Sequence, residues 1–161
     1  GLKVKALMSI GHAGESAQSV ENTKNWLLET EPEDFDCTII TTYPGSPYFD
    51  DAIKCKDSYD KDFYVYSDPI NGDRLYQRPL DYLTEVDYYK GDPEDGYLSY
   101  VWTDHLNIKE LVDLRSNLEK EVRQKLNIPF YAARAVFNEH SMGMGNIQIP
   151  SHILKSTACT I

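Results

Sequence analysis

"SIGHAGESAQSVENT", residues 9–23, joins the end of an apolar run to a polar segment with helix-forming character. The apolar residues before it, 2–10, predict a buried strand. Residues 11–15 form a turn, where two glycines permit backbone angles and close approaches that a side chain would block. Ser16 is a suitable N-cap for a helix that continues to about Glu29.

A second β-rich run, "DFDCTIITTYPG" at residues 34–45, follows this helix. Proline and glycine punctuate its end, which marks the strand boundary. Strand, turn, helix and strand in this order predict a βαβ unit, for which parallel strands and a right-handed crossover are the default.

Residues 50–107 differ in composition from the segment before them. They hold fourteen acidic and six basic residues, so most of the chain's net charge of −10 lies here, together with many tyrosines. Short strand-like segments alternate with the turn signals "DPINGD" and "GDPEDG". We expect an irregular antiparallel sheet that is half-buried and has a solvated, charged face.

Asn107 opens a clearly amphipathic helix. Asn107 and Glu110 are spaced as a capping box. The residues expected largely on the opposite, polar face are Glu119, Lys120, Glu121 and Arg123. The predicted core stripe consists of Ile108, Leu111, Leu114, Leu118, Val122 and Leu126.

Composition and charge exclude several classes of protein. A chain of 161 residues, 41% hydrophobic, is long enough to bury a core. A net charge of −10 argues against a binder of nucleic acid or anionic membranes. No apolar run approaches the length of a membrane-spanning helix. The spacing of Cys37, Cys55 and Cys159 fits neither a metal site nor a disulfide framework, and predicts reduced thiols in a cytoplasmic protein.

The turn at residues 11–16 is the strongest candidate for a functional site. A tight turn before a helix suits an anion or the polar edge of a cofactor, but it also suits a plain connector. "GHAGES" matches no phosphate-binding loop, dinucleotide fingerprint or nucleophile elbow. His12 could carry a proton or could simply be a hydrogen-bonded turn residue.

Together, residues 6–29 and 35–53 resemble the closing portion of a radical S-adenosylmethionine domain. The nearest likeness is to cobalamin-binding-type iron–sulfur oxidoreductases, which carry a G-x-P-G-E-[TS] turn and a T-P-x-P-G-T-x-x-Y segment. Ala13 and Thr42 stand where prolines are usual. The matching residues are Gly11, Gly14, Glu15 and Ser16, then Thr41, Tyr43, Pro44, Gly45, Ser46 and Tyr48.

The resemblance implies an α/β fold in which the βαβ unit is the last portion of a partial (β/α)6 barrel. A β-rich extension and a C-terminal helix would follow, giving segments 1–53, 54–106 and 107–161. It also implies that the carboxyl ends of both strands face S-adenosylmethionine. The residues assigned to that pocket are Met8, Ile10, Gly11, His12, Gly14, Tyr43 and Pro44.

Enzymes of this family hold a [4Fe–4S] cluster on a CxxxCxxC loop, which this sequence lacks. The chain begins without methionine, and we expect a C-terminal fragment that is inactive alone and acts on a small-molecule substrate in the full-length parent. Its partner would be the missing N-terminal half of the barrel, or a second copy through exposed strands; cobalamin is a possible cofactor. The alternative is a complete, non-catalytic α/β module that binds a partner or small polar ligand through the acidic, tyrosine-rich face.

Overall fold

The computed structural model describes residues 3–80 and 98–129, which form a mixed α/β fold. These residues all lie in one compact unit, Gly1–Phe130; a second unit, Tyr131–Ile161, lies outside the described residues. The elements are β1 (Lys5–Ile10), α1 (Ala17–Thr30), β2 (Asp34–Ile39), α2 (Pro47–Asp50), β3 (Ile53–Lys56), β4 (Asp62–Ser67), β5 (Arg74–Gln77), β6 (Val101–Thr103) and α3 (Ile108–Leu126). In this part of the chain, no helix is both long and apolar enough to cross a membrane.

The predicted βαβ unit is confirmed. Strands β1 and β2 pair in parallel, in a register that runs from Lys5 opposite Asp34 to Ile10 opposite Ile39. Ser16 caps α1 as expected, because its hydroxyl accepts the Ser19 N–H at 3.2 Å. Strand β2 is shorter than predicted, since it ends at Ile39 and residues 40–43 reach the Pro–Gly turn without regular secondary structure. In the described residues these two strands form an open sheet, without a barrel.

The predicted antiparallel sheet is also found, with its strands in the order β3-β4-β5-β6. Neighbouring strands follow one another along the chain, so each strand pairs with the next in antiparallel register. The strand-like segment "YLTEVDYY" falls within residues 81–97, which lie outside the described residues.

The outward face of the four-stranded sheet carries aromatic rings in addition to the expected charged side chains. Tyr66, Leu75 and Val101 are buried on the inward face. Tyr76 lies opposite Trp102 on the outward face, with their rings stacked 5.4 Å apart. Because strand residues alternate between faces, the register gathers aromatic rings where the composition suggested charges.

Helix α3 packs its apolar stripe against α1 and β2, which confirms the predicted core face. Leu111, Leu118 and Val122 are buried as expected. The expected polar face is wrong for Glu119 and Arg123, each of which is only 1% exposed. The reason is that α3 lies along the edge of β2 that faces away from β1, where their side chains find hydrogen-bond partners.

Arginine side chains cover the edge of β2 that faces away from β1. Alternate residues of a strand direct their backbone groups to opposite edges, and Asp34 is bonded toward β1. The carbonyls of Phe35 and Cys37 therefore face the other edge. Arg123 donates to the Phe35 carbonyl at 2.6 Å, and Arg115 donates to the Cys37 carbonyl at 2.7 Å. Side chains of α3 thus replace the hydrogen bonds of a further strand.

Glu119 pairs with both of these arginines, and Asp34 supplies a second carboxylate to Arg123 at 3.0 Å. The Glu119 carboxylate accepts from Arg123 at 2.6 Å and from Arg115 at 3.3 Å. Glu119 and the two arginines are spaced four apart, so they share one face of α3. Burial of such charges is tolerated only when every charge is paired and hydrogen-bonded, and this row meets that condition.

Candidate functional site

The turn between β1 and α1 contains its own anion. The buried Glu15 carboxylate accepts the Gly11 N–H at 3.0 Å and also accepts the Ser19 hydroxyl. The Glu15 N–H in turn donates to the His12 carbonyl at 2.9 Å. Gly11 adopts a φ of +86°, which glycine reaches without strain. The Glu15 side chain therefore occupies the position at which a strand–turn–helix junction could bind an external anion.

This arrangement limits which ligands the turn can accept. The Gly11 N–H is already satisfied, and a second anion beside Glu15 would meet like-charge repulsion in a partly buried setting. The turn is thus unsuited to a phosphate group, in agreement with the absence of a phosphate-loop motif. A neutral or cationic group is compatible with the carboxylate.

The atoms that approach the two glycines closely belong to this chain. A Cβ on Gly14 would collide with the carboxylate of Asp73, whose Cγ would be 2.8 Å away. A Cβ on Gly11 would be 3.1 Å from the Ile39 side chain. Packing of β2 and of the β4–β5 turn against the β1–α1 turn therefore accounts for both glycines.

His12 lies at the centre of a short polar chain. Its Nε2 is 2.8 Å from Ser9 Oγ, and its Nδ1 is 3.4 Å from Tyr48 Oη. Burial lowers the pKa of His12 below its ordinary value, while the nearby Glu15 carboxylate partly opposes that effect. A neutral imidazole has one donor and one acceptor nitrogen, so His12 can donate a hydrogen bond to one of these hydroxyls and accept one from the other.

The predicted pocket residues are found at the carboxyl ends of β1 and β2, but they differ in accessibility. The Ile40 N–H donates to the Ile10 carbonyl at 2.9 Å, which holds the two strand ends together. Ile10 and Gly11 are buried, Met8, His12 and Gly14 are half-buried, and Tyr43 and Pro44 are exposed. The Ile10 side chain offers no surface to a ligand here, so the residues that a ligand can reach are Met8, His12, Gly14, Tyr43 and Pro44.

Some contacts of this site could not be found by reading the sequence. Ser9 and His12 are only three residues apart at the end of β1, so the sequence spacing is short enough to indicate their contact. Tyr48 follows His12 by 36 residues, and their contact depends on how the loop after β2 folds back. Asp73 reaches Gly14 from the other sheet, so no pattern along the chain indicates that contact.

The described residues do not fit an iron–sulfur cluster. Among residues 3–80 and 98–129, no group of three His, Cys, Asp or Glu side chains is placed to hold a metal ion. Cys37 is buried in β2, and burial raises the pKa of its thiol to about 12, so it stays protonated. A cluster ligand must be a thiolate. Cys55 lies apart from it, in β3.

Comparisons with known proteins add no relative. No protein-family model matches the chain, and neither a curated protein nor a solved structure matches it. The motif resemblance, the polar chain around His12 and the two unlike edges of the parallel sheet are therefore the observations that bear on function.

Proposed function

We propose that this chain is the C-terminal part of a radical S-adenosylmethionine enzyme and supplies one wall of its cofactor and substrate pocket. The observation that carries the proposal is the difference between the two edges of the parallel sheet. Arginines of α3 cover the outer edge of β2, whereas β1 has no strand beside its outer edge in the described residues. This is the arrangement expected of the closing strands of an open barrel.

The surface of β1 supports further pairing on that side. Leu7 is 76% exposed in the middle of the strand, and Val4 just before it is 58% exposed. Parallel strands are normally covered on both faces and flanked by neighbours, because their backbone groups and apolar side chains need partners. A preceding strand–helix segment would meet both needs, because its strand would pair with the edge of β1 and its helix would cover exposed apolar side chains.

The carboxyl ends of β1 and β2 suit one side of an S-adenosylmethionine pocket. His12, Tyr43 and Pro44 would border the cofactor, and Met8 would contribute apolar contact through its half-buried side chain. The carboxylate of Glu15 favours a sulfonium cation over a phosphate. Bound S-adenosylmethionine would supply radical chemistry to a small-molecule substrate, and His12 would hold or move a proton at its imidazole.

The cluster would be held outside the described residues. Because Cys37 is protonated and buried, the ligands belong to the segment that precedes β1 in the proposed parent. The 161-residue chain alone is then inactive in radical chemistry. Cobalamin remains an optional second cofactor under this proposal.

The test is the size and iron content of the native protein, isolated without oxygen through a tag at its C-terminus. We expect a chain longer than 161 residues that is brown, contains iron and sulfide, and cleaves S-adenosylmethionine when reduced. A colourless native chain of this length, without iron, would overturn the proposal in favour of a non-catalytic binding module.

A further inference from the structure

We propose that a groove on the outward face of the four-stranded sheet binds a small anionic ligand that carries a planar ring, such as a mononucleotide. This inference does not depend on the proposed function, because none of the lining residues of the groove belongs to the turn at residues 11–16. The groove has a volume of about 1110 Å³, slightly above the roughly 300–1,000 Å³ of ordinary small-molecule sites. Its lining combines aromatic rings with basic side chains.

The aromatic wall consists of Phe63 and Trp102. Their ring centres are 6.0 Å apart, and Tyr76 stacks on Trp102 with the ring planes only 9° from parallel. Phe63 and Trp102 are half-buried, so the rings are supported from within the sheet while part of their surface remains accessible. A rigid, supported indole is a suitable surface for a planar ligand to stack on.

The rim of the groove is basic, although the chain as a whole is acidic. Its charged lining residues are Lys56, Lys61, Arg78 and Lys109, with Asp57 and Asp62. Both acidic residues are engaged elsewhere. Asp57 accepts the backbone N–H groups of Tyr59 and Lys61, and Asp62 pairs with Lys54 at 2.6 Å. Two of the four cations are paired as well, Lys56 with Asp60 and Lys109 with Asp113, so Lys61 and Arg78 supply the positive charge that a ligand would meet.

Arg78 and Lys61 are the best-placed anchors for an anion. Neither forms an ion pair with another residue in the described part of the chain, whereas Lys56 pairs with Asp60. The planar fork of a guanidinium matches phosphate and carboxylate oxygens in a bidentate manner. These cations adjoin an aromatic wall, so the lining recognises one molecule that carries both a charge and a ring.

Charge also indicates that the ligand is small. At physiological salt, electrostatic interactions are screened beyond about 8 Å. A single phosphate in the groove therefore senses mainly the local cations. A long polyanion would extend over a surface whose net charge is −10 and would be repelled. A mononucleotide meets these conditions better than a nucleic acid does.

The test uses the fluorescence of Trp102 in the 161-residue chain. Trp26→Phe removes the other tryptophan, which lies in α1, and leaves Trp102 as the reporter. Adenosine monophosphate is the probe. We expect quenching that saturates with adenosine monophosphate. The affinity obtained for adenosine, which lacks the phosphate charge, should be at least tenfold weaker. Inorganic phosphate, which lacks the ring, should bind at least tenfold more weakly than adenosine monophosphate in a competition titration.

Matched variants localise the binding. The double variant Lys61→Ala/Arg78→Ala should weaken the affinity for adenosine monophosphate at least tenfold. The control Lys120→Ala removes a single positive charge from an exposed position eleven residues, about 16 Å, beyond Lys109 along α3, and should change the affinity less than twofold. Linear quenching without saturation, or equal affinity in the double variant and Lys120→Ala, would overturn the proposal. Much tighter binding of an oligoadenylate than of the mononucleotide would overturn the small-ligand class.

Discussion

The guanidinium of Arg123 donates to the backbone carbonyl of Phe35 at 2.6 Å and lies 4.7 Å from the centre of the Phe35 ring. One side chain of α3 thus satisfies an edge carbonyl of β2 and packs on a core ring of the same strand. This contact gives the parallel sheet two unlike edges, because β1 has no equivalent cover in the described residues.

Replacing Arg123 with leucine is expected to destabilise the fold by about 3–5 kcal/mol, because the Phe35 carbonyl and the Glu119 carboxylate lose a buried partner. Arg123→Lys should not restore stability, since an ammonium cannot reproduce the planar set of donors. Urea unfolding followed by circular dichroism measures both effects.

The double variant Arg123→Leu/Glu119→Leu provides the control for the arginine row. It should be less destabilised than the sum of the two single variants, because removing both charges leaves fewer unpaired groups. Lys24→Ala breaks an exposed ion pair with Glu121 and should cost less than about 1 kcal/mol. Equal losses in Arg123→Leu and Lys24→Ala would show that the buried row does not stabilise the edge of β2.

Two glycine substitutions separate backbone strain from steric conflict. Gly45→Ala places a Cβ at a φ of +89° with no atom within 4 Å, so it should cost only the strain of about 1–2 kcal/mol. Gly14→Ala has a similar φ of +80° but also meets Asp73, and should cost at least about 1 kcal/mol more. Chemical unfolding gives both values.

Removing the Asp73 side chain tests the steric part. In an Asp73→Gly background, Gly14→Ala should cost about as much as Gly45→Ala does, since the collision is gone and only φ strain remains. A Gly14→Ala cost that is unchanged by Asp73→Gly would contradict the packing of the β4–β5 turn against the β1–α1 turn.

His12 should make stability depend on pH below its ordinary pKa of about 6.5. Burial lowers the pKa of His12 in the folded chain, so the unfolded chain takes up the proton first as the pH falls. The free energy of unfolding contributed by this group is therefore complete above about pH 6.5 and is lost as the pH falls toward the native pKa. The loss has a limiting slope of about 1.4 kcal/mol per pH unit for one proton.

His12→Asn should remove that part of the pH dependence, and urea unfolding at several pH values measures it. His105→Asn replaces an exposed histidine and serves as the matched control. A histidine titration by nuclear magnetic resonance that gives His12 a pKa at or above 6.5 would contradict the expected direction.

In the part of the chain that the structure describes, β1 has no strand beside its outer edge, and we expect the isolated 161-residue chain to self-associate there. Leu7→Lys places a charge in the middle of this strand, and loss of the apolar contact of about 1.5–3 kcal/mol should weaken association roughly 10- to 100-fold. Sedimentation velocity over a range of concentrations measures the effect. Ile70→Lys removes a side chain that is 93% exposed in the β4–β5 turn, and should leave association unchanged. A wild-type chain that stays monomeric throughout would contradict the prediction.

The local elements followed from the sequence because their causes are local. Ser16 and Asn107 begin their helices through hydrogen bonds that span three residues, and each is found as the N-cap. The alternation of strand and helix likewise predicted the parallel pairing of β1 with β2, since a short crossover leaves few other arrangements. The apolar stripe of α3 identified its core face for the same reason.

Tertiary structure alone decided the contacts at the outer edge of β2 and the long-range contacts of the β1–α1 turn. Arg123 and Glu119 have the sequence signature of a solvated helix face, and they are buried because α3 lies along a strand edge whose carbonyls need donors. Asp73 and Tyr48 reach the β1–α1 turn only because the second sheet and the loop after β2 fold back onto it. Periodicity indicates which side of a helix or strand is apolar. It does not indicate which distant backbone groups the remaining, polar side chains will contact.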